Sequence, residues 1–145
     1  MRPAAATVAA RFNPGDDMDN WLTMTAADLG RGIEAGQISP LALTRCYLDA
    51  IDAHPLRDRI YTQVTSERAL AEAKAAQQRA DLGLRRSLLD GVPISWKDLF
   101  DSAGTYTESG SDLLKGRVPA QDATVLRRAT LMGSVCLGKT HMSEL

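Results

Sequence analysis

At 145 residues, 44% hydrophobic and 24% charged, the chain has the size and balance of one soluble globular domain with room for a core. Its formal charge of −1, with Lys and Arg dispersed among Asp and Glu, excludes the basic surface interleaved with aromatics that nucleic acid requires. No apolar run reaches the length of a bilayer-spanning helix.

Residues 1–24 read as a disordered leader. Arg2, the stretch PAAATVAA and Arg11 imitate a targeting peptide, but the apolar run is short and lacks leucine, and Asn13-Pro14-Gly15-Asp16-Asp17 is polar and turn-forming. The remainder, residues 25–145, forms the folded part. A first helix begins at Thr25, with Asp28 completing a capping box, Leu29 and Ile33 on its buried face and Gly36 at its end. Ser39-Pro40 starts a second, in which Leu43, Tyr47, Ala50 and Ile51 make one stripe until His54-Pro55 stops it.

Residues 60–65 alternate β-branched, aromatic and polar side chains and predict a short strand. Ser66 is expected to cap a long helix to about Leu82, with Ala69, Ala73, Ala76 and Ala80 as a small-residue seam for close packing. After a basic connector, Asp90-Gly91 turns into a strand over residues 92–100, expected to be buried. A Gly- and Ser-rich irregular stretch runs from Ser102 to Gly116. Asp122 is the expected cap of a helix with Val125, Leu126, Ala129 and Met132, closed by Gly133. Residues 134–138 then make a nearly all-apolar strand covered on both faces. Strands alternating with helices predict a layered α/β sheet. Cys46 and Cys136 lie far apart inside apolar segments and read as two buried free thiols. His54 and His141 are isolated, so no metal site is expected.

Lys97 is the residue that asks for an explanation. Period-two alternation puts Val92, Ile94 and Trp96 on one side of its strand and Ser95 and Lys97 on the other. An edge lysine whose stem lies on apolar surface and whose ammonium reaches water is the plain account. The chemical account is a base that must be neutral when it accepts a proton; lowering its pKa from about 10.4 toward about 7–8 corresponds to roughly 4 kcal/mol, which burial can supply. A base needs a nucleophile. Ser95 lies two residues away on the same face, but side chains so placed run parallel rather than toward each other. Ser109, Ser111 and Ser143 lack a G-x-S-x-G elbow, and Ser111 to Lys115 is one residue too long for Ser-x-x-Lys.

The segment Asp90-Gly91-Val92-Pro93-Ile94-Ser95-Trp96-Lys97-Asp98 resembles the G-[VI]-P-[IV]-x-[VIL]-K-D motif of amidase-signature enzymes. Gly104-Thr105 with Ser109-Gly110-Ser111 is similar to that family's G-x-x-T-x-x-G-S stretch. Residues 122–140, from Asp122-Ala123-Thr124-Val125 to Leu137-Gly138-Lys139-Thr140, resemble its D-A-T-V…LGKT-N-M-x-E-F run. The resemblance covers roughly Thr25 to Leu145 and implies the N-terminal part of a layered α/β/α mixed sheet. It implies an amide hydrolase with a Ser-cisSer-Lys triad, in which Lys97 relays a proton through a bridging serine to a nucleophilic serine. Backbone N–H groups of a Gly-Ser-rich loop would hold the oxyanion. Thr105, Ser109, Gly110 and Ser111 are the candidate substrate-loop residues. Both triad serines normally follow the M-x-E-F run, so the 145 residues are expected to be catalytically incomplete and inactive alone. Trp96, Tyr106 and His141 depart from the common pattern.

The expected partner is a small-molecule amide, with no cofactor, no metal, no nucleic acid and no membrane, in the cytoplasm. Self-association or a missing C-terminal segment is expected from the apolar strand near Val135–Leu137. A non-catalytic remnant or split half, and an amidotransferase A-type subunit, are the alternatives; the Lys-Asp-Leu-Phe-Asp wording is more like free-standing amidases.

Overall fold

The computed structural model describes residues 20–143. Most of the expected leader, residues 1–19, lies outside the described residues. Its last part does not behave as a leader. Trp21 is 3% exposed and packs with Leu29, Ile33, Ile38, Leu43, Cys46 and Val92, and its carbonyl accepts a hydrogen bond from Tyr47 Oη at 3.1 Å. An indole of that size contributes more apolar burial than any nearby aliphatic residue, so the fold begins earlier than residue 25.

Helix α1, Ala26–Glu34, starts where the capping box places it. Thr25 Oγ1 accepts from the Asp28 N–H at 3.1 Å and donates to Asp28 Oδ2 at 2.6 Å. Helix α2, Pro40–Ala53, has Ser39 as N-cap, its hydroxyl accepting from the Ala42 N–H, and a proline in the first turn. A single helical turn, α3 (Arg57–Ile60), leads into strand β1, Tyr61–Val64. Helix α4, Ser66–Asp81, carries the alanine seam: Ala69, Ala73 and Ala76 are buried, and Ala69 and Ala73 pack with Val135, Leu137 and the α2 residues Leu41, Tyr47, Leu48 and Ile51. Its cap is Thr65, not Ser66, and that hydroxyl is spent on the Cys136 carbonyl at 3.0 Å.

Strand β2 is Pro93–Lys97, helix α5 is Thr124–Leu131 and strand β3 is Val135–Thr140. The α5 cap is Ala123. Asp122 instead grips the Arg68 guanidinium with two bonds of 2.9 and 2.8 Å and accepts the Ala103 N–H at 2.8 Å. Of the expected α5 face only Leu126 is buried; Val125 and Met132 are exposed.

The strands form one mixed sheet in the order β1-β3-β2, with β1 antiparallel and β2 parallel to β3. The layered α/β reading with a mixed sheet therefore holds, and helices α2 and α4 supply the apolar cover of β3. The apolar strand has neighbours on both sides, as its composition demands. It is the centre of the sheet, however, and not an edge near Val135–Leu137. Both cysteines are buried thiols outside any disulfide. No described helix is long and apolar enough to cross a membrane.

Candidate active site

Strand β2 exists because a β-branched and an aromatic residue, Ile94 and Trp96, alternate with polar ones and can pair with the most apolar strand of the chain. Pairing runs from Pro93 opposite Val135 to Lys97 opposite Thr140, with one irregularity between Ile94 and Ser95. The ladder is prolonged by the Asp98 N–H to the Thr140 carbonyl at 3.0 Å, and the chain then turns, the Phe100 N–H donating to the Lys97 carbonyl at 3.0 Å. Trp96 and Phe100 meet edge to face, ring centroids 5.4 Å apart.

Lys97 is exposed, and its Nζ donates to the His141 carbonyl at 3.0 Å. This corrects the expectation of a buried strand. Among the described residues β2 pairs on one edge only, so Ile94 and Trp96 are half-buried while Ser95 and Lys97 face outward. Ser95 does not serve Lys97. Its hydroxyl lies 2.6 Å from Tyr61 Oη, which reaches it from across β3. The two neighbouring side chains run parallel, as strand geometry requires.

The Gly- and Ser-rich stretch is more ordered than a solvated loop. Residues 104–107 lie against 117–119 through Gly104 N–H to Pro119 O and Thr107 N–H to Arg117 O, both 3.0 Å. Arg117 clasps Asp101 at 2.6 and 2.7 Å; the guanidinium's hydrogen bonds hold that carboxyl below its ordinary range. Thr105 and Ser111 are each 5% exposed. Ser111 Oγ accepts from the Leu113 N–H at the start of a 3-10 turn over Asp112–Leu114. Ser109 and Gly110 both take positive φ, 51° and 65°, which points successive backbone groups into a tight bend. Thr105 also lines an open cleft of about 510 Å³ between β1, α4 and this loop, with Gln63, Arg68 and Gly104. Lys97 is not among its walls, and its amine is aimed at His141 rather than at Thr105, Ser109, Gly110 or Ser111.

The sequence reading passes over Lys139. It is fully buried, its Nζ lying 3.2 Å from Asp98 Oδ1 and 2.9 Å from Thr107 Oγ1. Burial pushes its pKa down against the pull of Asp98. The signal was available. A lysine within residues 135–140, the most apolar strand of the chain, meets the criterion for a dehydrated amine better than Lys97 does. Among the described residues no three His, Cys, Asp or Glu side chains cluster as a metal would need.

Comparison with known proteins supplies the context this geometry lacks. The amidase family model matches residues 42–145. The A-type subunit of the glutamyl-tRNA(Gln) amidotransferase of Anaeromyxobacter dehalogenans is 43% identical over 117 residues, covering 81% of this chain and 24% of that protein. Its counterpart in Marinobacter nauticus is 38% identical over 120 residues, 83% of this chain and 24% of its own. The X-ray structure of native peptide amidase from Stenotrophomonas maltophilia superposes with a TM-score of 0.77 at 34% identity, over 86% of this chain and 26% of that one. The chain thus spans about a quarter of the length of the proteins it matches.

Proposed function

The chain belongs to the amidase family, and from that premise we propose that it is the part of an amide-bond hydrolase that carries the general base, Lys97. The observation that supports this reading is the placement of Lys97. It ends a strand inside the matched region, and its amine is exposed on the outward face of β2, where further polypeptide can cover and dehydrate it. In this reading the bridging serine, the nucleophile and most of the acyl pocket come from polypeptide other than these residues, and the exposed face of β2 is where they meet the amine. Neutral Lys97 takes the bridging serine's proton as that serine takes the nucleophile's, the nucleophile's oxygen attacks the amide carbonyl, and the proton returns by the same route to the amine as the C–N bond breaks. Water then attacks the acyl-enzyme, giving the acid and freeing the serine. The substrate is a small-molecule amide, the location is cytoplasmic, and the positive-φ bend at Ser109-Gly110 contributes to the substrate loop.

The test is hydrolysis of acetamide or benzamide by a polypeptide that joins these residues to the serines. Lys97→Ala is expected to lower kcat/KM by about 10²–10⁴-fold, the usual contribution of a general base. Unchanged turnover rejects the reading. The 145 residues alone are expected to be inactive, and activity abolished by Lys97→Ala in that short chain would overturn the assignment of the nucleophile elsewhere.

A second reading rests on the curated relatives, which are named as amidotransferase subunits and are 43% and 38% identical to this chain. In that case the amide is hydrolysed to deliver ammonia to a partner. Turnover that required added partner proteins and glutamine, with simple amides untouched, would favour it.

A further inference from the structure

Lys139, Asp98 and Thr107 form a closed polar cluster in which no member is more than 3% exposed. Lys139 Nζ bridges Asp98 Oδ1 and Thr107 Oγ1 at 3.2 and 2.9 Å. The other carboxylate oxygen, Asp98 Oδ2, accepts the Glu108 N–H at 3.0 Å, and the Asp98 N–H is tied to the Thr140 carbonyl. One side chain from the centre of the sheet therefore joins the end of β2 to the loop at 107–108. An apolar residue at the same place would generally serve stability as well, because a buried ion pair returns little beyond its own desolvation. What a charge adds at such a site is direction. The residue it directs is adjacent: Asp98 follows Lys97, and the carbonyl that receives the Lys97 amine belongs to His141, two residues beyond Lys139.

We propose that Lys139 is a positioning residue for Lys97: with Asp98 and Thr107 it fixes the turn at the end of β2 and thereby the direction of the Lys97 amine. This deepens the reading of Lys97 as the base and rests on it for its functional meaning. The geometry itself is testable without turnover. Loss of the cluster frees residue 98, loosens the turn and lets the Lys97 amine leave the His141 carbonyl. A Lys97 side chain released from that carbonyl samples several rotamers, so its Cε gains motion.

The experiment uses the 145-residue chain labelled at lysine Cε, where only Lys74, Lys97, Lys115 and Lys139 give signals, together with amide hydrogen exchange. Thr107→Val removes one partner of the Lys139 ammonium without altering any charge. It is expected to speed exchange of the Glu108 N–H about tenfold relative to the Val135 N–H, which donates to the Val92 carbonyl. The Lys97 Cε order parameter is expected to fall to about half its native value while those of Lys74 and Lys115 stay put. Lys139→Met should speed Glu108 exchange further, and Lys139→Arg, which keeps a cation on Asp98, should bring it back toward the native rate. Native exchange and native Lys97 side-chain order in folded Thr107→Val overturn the proposal. Faster Glu108 exchange with unchanged Lys97 side-chain order overturns it too, leaving only a structural strut. If Lys139→Met does not fold, Thr107→Val decides alone. A Lys97→Ala hydrolase that retained turnover would retire the base reading and leave both of these readouts where they are.

Discussion

Gly133 ends α5 with φ of 96°, and a Cβ there would run into the carboxylate of Asp90. That carboxylate has nowhere to go, because Asp90 is 1% exposed and is held by Arg79 at 2.6 and 2.9 Å and by the Arg86 N–H at 2.8 Å. Burial pushes its pKa up, yet the hydrogen bonds from Arg79 and Arg86 prevail and leave it below the ordinary range. Gly133→Ala combines a strained backbone with a steric conflict and is expected to lower unfolding free energy by about 2–4 kcal/mol in urea; a loss under about 0.5 kcal/mol would show that the turn relaxes. Arg79→Met strands the buried carboxylate and should cost about 3–5 kcal/mol. At this scale the sequence is a partial guide. It shows one lysine in a strand and another just past one, but not which is covered, since that depends on a loop folding back over β3 and on β2 having one free edge. Both lysines stand in quoted motifs, but only Lys97 is given a role there; the burial of Lys139 is shown by its surroundings alone.

Helix starts are legible where the capping group is local. Thr25 and Ser39 cap as their spacing predicts, because partner and hydroxyl lie within one turn. They fail where a distant group competes. Asp122 abandons the α5 N-terminus for Arg68, which lies on α4, and Thr65 gives its hydroxyl to β3. The Arg68 pair carries a pH signature. The guanidinium's hydrogen bonds hold Asp122 below its ordinary range, so as pH falls the unfolded chain takes up protons first. The pair's contribution is complete above the usual carboxylate range and fades below about pH 4. Arg68→Met should therefore lower Tm by about 3–6 °C at pH 7, and the gap from the native chain should shrink at pH 3. A gap independent of pH would show that the pair matters only as packing.

Across the whole molecule, the layered α/β sheet and the order of its helices follow from the alternation of patterns along the chain, while the mixed pairing and the strand order do not. The most apolar strand could have been an edge awaiting a partner; pairing with both β1 and β2 instead leaves those two as the flanks. The self-association expected of the chain belongs to the β2 flank, where Leu99 is 47% exposed beyond the strand. The 145-residue chain is expected to associate with rising concentration in sedimentation, and Leu99→Lys to weaken that association; identical behaviour of the two would place the contact elsewhere. The central position of β3 has a kinetic consequence as well. Tyr61 waits for Thr140 and Pro93 for Val135, and the two flanking strands have no bonds to exchange with each other. During synthesis both must therefore remain as loose ribbons beside already formed helices until the middle strand emerges, so closure of the sheet should be late, slow for a chain this short, and the step at which a chaperone would find something to hold.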